Sequence, residues 1–221
     1  MPTSTRKGPA SVPDPIATAM LARSPVRQSK PLRQEAGWEV SSADTGAALE
    51  LADLTPITKV LVRASSSAVG SSFSDFGRAR RDEAGHLVVG ARPDEWIVFG
   101  KAGSAAATIS QIEERLAGAE GLVTLVDVTH RDVVFLLSGT DARGVLEKIC
   151  AIDLSDRTSP DGTAFRSRVA GVSCLVVRED RDGRPAYLID ADRSYGQYLF
   201  DVLVDAGAEF SVEVAGYTEV F

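Results

Sequence analysis

A chain of 221 residues with a hydrophobic share of 44% and a charged share of 25% has the composition of an ordinary globular protein, long enough for one sizeable core or two small ones. Its net charge of −7 is unevenly spread: residues 1–33 hold six basic side chains and one acid, so this segment is +5 and the remainder −12. An acidic body argues against general nucleic-acid binding, no apolar run reaches the length of a membrane span, and Cys150 and Cys174 are too few for a disulfide framework.

No secretory leader is legible, and a reducing cytoplasm is the expected compartment. Arginine far exceeds lysine and asparagine is absent, a bias expected of a bacterium with GC-rich DNA.

Residues 1–48 are rich in Pro, Ser, Thr and Ala and read as an extended N-terminal arm with no core of its own. Within it, Pro15–Arg23 has the spacing of a short helix with Asp14 as N-cap. From Leu49 the pattern is that of a folded body, 49–221. Strands are expected at 59–64, 86–90, 95–100 and 122–128, with an irregular turn or short helix at 67–77. A helix is expected at 104–118, capped by Ser104, with Ile109, Ile112 and Leu116 on one face. The order then repeats. A strand at 132–139 leads to a helix at 140–149 capped by Thr140 or Asp141. Strands at 165–171, 172–180 and 186–191 follow, the last two joined by an Asp182–Gly183 turn. A helix at 194–207 and a strand at 210–214 close the chain.

Two halves, 49–130 and 131–221, thus run strand, helix, strand, strand, helix, strand, with one strand added in the second. The expected fold is α+β: two ferredoxin-like (split βαβ) halves with mostly antiparallel sheets, preceded by the arm. Two separate α+β domains are the alternative.

The common catalytic signatures are missing: no phosphate-binding glycine loop, no nucleophile elbow, no HExxH and no CxxC. With only His86 and His130 in the chain, no metal site is expected. His130 lies three residues after Asp127, so the two point to opposite faces of a strand and read as a polar corner, not an acid–base pair. Cys150 at a helix end and Cys174 in an apolar strand read as buried small hydrophobes. Asp94 and Glu95 are adjacent and diverge on a strand, which removes them as a paired-carboxylate site. Trp96 after them is either a core side chain or a partner contact. "SGTDAR" at 138–143 reads as a helix cap more than as an anion site.

Three segments, "PDEWIVFG" at 93–100, "VDVTHRDVVFLLSGTDARGVLEKICAIDL" at 126–154 and "RSYGQYLFDVL" at 193–203, resemble the gamma subunit of heterotetrameric sarcosine oxidase. That resemblance implies alpha, beta and delta partner chains. It implies oxidative demethylation of sarcosine to glycine with oxygen, giving hydrogen peroxide and, with tetrahydrofolate as co-substrate, methylenetetrahydrofolate. It implies FAD, FMN and NAD on the large chains, zinc on the delta chain, and no cofactor or catalytic residue here. It also implies an aminomethyltransferase-like folate-binding fold. Two departures stand out: Ala91–Arg92 precedes "PDEW" where glycine is expected, and "DLSDRTSPDG" replaces a family "DLHP" followed by "FPPG".

The expected role is assembly, with Arg23, Arg27, Arg33, Arg92, Trp96 and Arg157 as partner-interface candidates. The rival is a stand-alone folate-binding protein, for which Asp127 is the carboxylate candidate. An RNA-binding reading is disfavoured by the acidic body and the lack of paired aromatics on a strand.

Overall fold

The computed structural model describes residues 21–221. In chain order its elements are β1 (Ala22–Arg23), β2 (Leu32–Glu35), β3 (Trp38–Ser41), β4 (Leu49–Asp53), β5 (Thr58–Arg63), α1 (Ser66–Val69), β6 (Ala79–Arg81), β7 (Leu87–Arg92), β8 (Glu95–Gly100), α2 (Ala105–Arg115), β9 (Thr124–Asp127), β10 (Asp132–Gly139), α3 (Ala142–Glu147), β11 (Ala164–Val169), β12 (Val172–Arg178), β13 (Ala186–Asp192), α4 (Gly196–Gly207) and β14 (Glu213–Ala215). The class is α+β, and antiparallel pairings dominate. Two sheets form the body, in strand orders β6-β7-β8-β5-β9 and β11-β12-β13-β10-β4-β14.

Alternation along the strands sets the layers. Val60, Val62, Val88, Trp96 and Val98 turn one face of the five-stranded sheet towards α2, where Ile112 and Leu116 meet them. Val133, Phe135, Leu137, Cys174, Val176, Tyr187 and Ile189 turn one face of the six-stranded sheet towards α3 and α4. The other faces pack on each other: Leu61, Leu87, Val89, Ile97 and Phe99 meet Val134, Leu136, Leu175, Val177 and Leu188. The result is helix, sheet, sheet, helix, with the central apolar layer shared by both sheets.

Three differences from the sequence expectations have physical causes. First, the segment from Ala22 to Ser41 is not simply extended. An Ala36–Gly37 turn with positive φ at both residues closes a β2–β3 hairpin, and β1 adds alongside β3. This small sheet lacks a core of its own, but Trp38 and Val40 bury themselves in the inter-sheet layer. Most of the helix expected at Pro15–Arg23 lies outside the described residues; its end, Ala22–Arg23, is β1.

Second, β4 had no counterpart among the expected strands. Although it precedes β5 in the chain, it joins the other sheet, between β10 and β14. Third, Ser104, Thr140 and Asp141 make no side-chain cap bonds to their helices. The Ser104 hydroxyl donates back to the Lys101 carbonyl instead.

The β4–β10 pairing depends on Gly139. Its φ is +137°, and an added Cβ would collide with the Ala48 carbonyl. Gly139→Ala is therefore expected to lower stability by roughly 2 kcal/mol or more. Chemical denaturation checks this, and an unchanged midpoint would show that β4 does not pack there.

Candidate functional site

Where the two sheets diverge at one end, the central layer changes from apolar to ionic and opens into a cleft of about 320 Å³. Leu61 and Arg63 of β5, Arg92 of β7 and Glu95 of β8 line one wall. Arg166 of β11, Ser173 of β12 and Asp190–Asp192 of β13 line the other, with Arg131 and Asp132 at the join. Strand alternation places Asp190 two residues after Leu188, on the same inward face.

Asp190 is only 5% exposed, and its Oδ1 has no hydrogen-bond partner among the described residues. Burial, reinforced by the nearby Asp132 carboxylate, pushes its pKa up to about 7. Lys59, Arg166 and Arg131 oppose that shift. The Lys59 ammonium lies fully buried behind the cleft and donates to the Thr55 and Ile57 carbonyls at 2.8 and 3.2 Å. Burial lowers its pKa to about 8, against the pull of Asp190, Asp132 and Asp53. On the opposite wall, Glu95 sits among three guanidinium groups. Arg63 donates to it at 3.1 Å, while Arg166 and Arg92 stand off at 3.6 and 3.8 Å. Arg131 is committed to Asp132 through both carboxylate oxygens.

The sequence candidates are scattered. Asp127 is exposed, accepts from the Thr129 amide at 2.9 Å, and lines no part of the cleft, so it is a turn cap and not a pocket carboxylate. Exposed His130 stacks on Trp38 with ring centroids 4.7 Å apart. Trp96, offered as a partner contact, is a core side chain: it is 4% exposed and its indole donates to the Ser74 carbonyl at 2.7 Å. Arg23 is exposed and pairs with Glu39, and Arg33 reaches the Tyr217 carbonyl. Arg27 and Arg157 are exposed, and Arg92 enters the cleft wall. Cys150 and Cys174 are both buried, and burial pushes the Cys174 thiol up to about 12, which removes it as a nucleophile.

A second polar row joins Asp82, His86 and Thr108, with His86 Nδ1 3.2 Å from Asp82 and Nε2 3.3 Å from the Thr108 hydroxyl. Thr108 is 1% exposed and Asp82 is shared with Arg115, so this row pins α2 to the β6–β7 turn. Among the described residues, no three His, Cys, Asp or Glu side chains gather to hold a metal, and no helix is long and apolar enough to cross a membrane.

The model of the GCVT N-terminal domain family matches residues 81–220. The chain belongs to that family. All the cleft residues except Leu61 and Arg63 lie within the matched span of the GCVT N-terminal domain. No curated protein matches the chain.

Among solved structures, a chain of the heterotetrameric sarcosine oxidase from Corynebacterium sp. U-96, in complex with pyrrole 2-carboxylate, is similar with a TM-score of 0.63 and 21% identity. The match covers 81% of this chain and 91% of that one. The glycine cleavage system aminomethyltransferase T from Bartonella henselae is similar with a TM-score of 0.65 and 16% identity, over 84% of this chain and 55% of that one. The likeness in both cases is one of fold, and this chain spans about half the length of the aminomethyltransferase.

Asp190 gives the cleft a pH signature. The unfolded carboxyl ionises near its usual value of 3.8 and the folded one near 7, so native stability falls as pH rises between them. Asp190→Asn removes that loss. The variant should gain on the native chain by on the order of 2 kcal/mol between pH 4 and pH 8, the Lys59 charge left behind trimming the full effect. Paired denaturation curves across that range test this, and a pH-independent difference contradicts the assignment.

Proposed function

We propose that this chain is the gamma-type subunit of a sarcosine-oxidase-type flavoenzyme, contributing to assembly and not to the redox chemistry. The observation that carries the reading is one of extent. The chain accounts for 91% of its sarcosine oxidase neighbour but only 55% of the aminomethyltransferase, so it matches one as a whole chain and the other as a fragment.

In this reading the alpha and beta chains hold FAD, FMN and NAD, and the delta chain holds zinc. The complex demethylates sarcosine oxidatively to glycine, with tetrahydrofolate accepting the one-carbon unit. The two sheets are read as two split βαβ units, with β4 inserted into the second. Exposed Arg23, Arg27, Arg33 and Arg157 remain available for docking, and Trp96 does not. A stable association of this kind buries about 2,000 Å² or more.

The rival, a free-standing folate binder, draws on one observation: Asp190 supplies the buried cleft carboxylate that Asp127 does not.

Purification from the native source separates the two. The expected result is co-elution with larger flavin-containing chains at fixed stoichiometry, with sarcosine-dependent peroxide formation. A lone monomer that binds a reduced folate overturns the subunit reading.

A further inference from the structure

We propose that the cleft is a receptor for a small zwitterion of the amino-acid type, its ammonium held by the Asp190 carboxylate and its carboxylate by Arg92 and Arg166. The inference rests on the cleft's own unmet bonds, and it stands whether or not partner chains join this one.

Glu95 accepts from Arg63, and Arg131 is taken by Asp132. Arg92 and Arg166 make no hydrogen bond among the described residues; each forms only a long ion pair to Glu95, at 3.8 and 3.6 Å, a carboxylate they share with Arg63. Asp190, across the cleft from Arg92 and two strands from Arg166 on the same wall, is more than nine-tenths buried and has an acceptor with no donor. A buried polar atom left unpaired is destabilising, so a donor brought to Asp190 recovers that loss. The cleft therefore holds three guanidinium groups around one carboxylate, an excess of positive charge, and one buried acceptor without a donor. A simple anion would leave Asp190 unmet, and a simple amine would leave three arginines sharing Glu95.

Spacing and lining narrow the class. Arg166 faces Leu175 across one strand pair, and Leu175 faces Asp190 across the next. Their Cα atoms are thus two strands apart, roughly 10 Å, and the arginine's own length shortens that gap to the span of a small amino acid. A volume of about 320 Å³ is at the low end for small-molecule sites, roughly 300–1,000 Å³. Leu61 and Ala191 supply the aliphatic lining, and no aromatic ring is present to stack against a pteridine. A compact ligand with charges of both signs fits this lining better than a flat heterocycle.

Calorimetric titration of the full chain with glycine, alanine and 4-aminobutyrate tests the proposal, with acetate and methylammonium as single-charge controls. At least one zwitterion should bind at least about tenfold more tightly than either control. Asp190→Asn and Arg92→Gln should each weaken that binding by about tenfold or more. Arg92 is a surface side chain, so its variant keeps the test decisive if the buried substitution disturbs folding. The proposal fails if no zwitterion binds at about 20 mM, or if the controls or the Arg92→Gln variant bind equally well. Binding of a reduced folate with none of the zwitterions also overturns it, and supports the folate reading instead.

Discussion

The chain crosses from one sheet to the other at Leu54–Ile57, inside the molecule. β4 ends in the six-stranded sheet and β5 begins in the five-stranded one, and Leu54, Thr55 and Ile57 have no exposed surface. A buried crossover leaves carbonyl oxygens that water cannot reach. Lys59 answers that constraint: its ammonium bonds the Thr55 and Ile57 carbonyls. Asp53 completes the corner by accepting from both the Thr55 amide and its hydroxyl, while Gln28 donates to the other carboxylate oxygen. A buried ammonium is costly unless it is bonded and near opposite charge. Asp190, Asp132 and Asp53 supply that charge, and Lys59 in turn opposes the rise in pKa that burial imposes on Asp190.

The crossover also determines what the N-terminal segment can do. Gln28 reaches Asp53, Val26 enters the core beside α4, and Pro25 packs against Gly196. Trp38 closes the inter-sheet layer beneath His130 and Arg193. A segment of low apolar content is thus ordered by a few large side chains seated on the body. Its basic residues stay outside: Arg23 and Arg33 keep most or much of their surface exposed while pairing locally with Glu39 and Glu35.

The body was legible in the sequence where periodicity was strong. "DVVFLLSG" and "AYLIDA" are built on the apolar runs VVFLL and AYLI, and both are central strands. The Asp182–Gly183 turn, with positive φ at both residues, forms as its chemistry dictates. "LELAD" was not legible as a strand because its partners are distant in sequence: β10 lies some eighty residues on, and β14 further still. The cleft was harder. Asp190 is one acid inside an apolar strand, a pattern that signals a buried carboxylate only after the opposing sheet is in position. Asp127 is the carboxylate candidate of the folate-binding reading, yet it caps a turn, and the cleft carboxylate comes from a remote strand, because a strand face joins residues distant in sequence. Glu95 is adjacent to Asp94 in sequence, but its partners are Arg63, Arg92 and Arg166, two of them from other strands of its sheet and one from the opposing sheet.

Bond-breaking chemistry needs a nucleophile or a poised acid–base pair at reach of a substrate. In the cleft, the groups near neutrality are Asp190 and, behind it, Lys59, and the latter is spent on backbone carbonyls. Neither cysteine lines it, and Ser173 is the one hydroxyl among its side chains. A cavity of that composition can orient and hold a charged molecule. The crossover brings Lys59 inward behind the cleft, and alternation along β13 sets Asp190 on the inward face that lines it, so the charges that meet there come from both sheets.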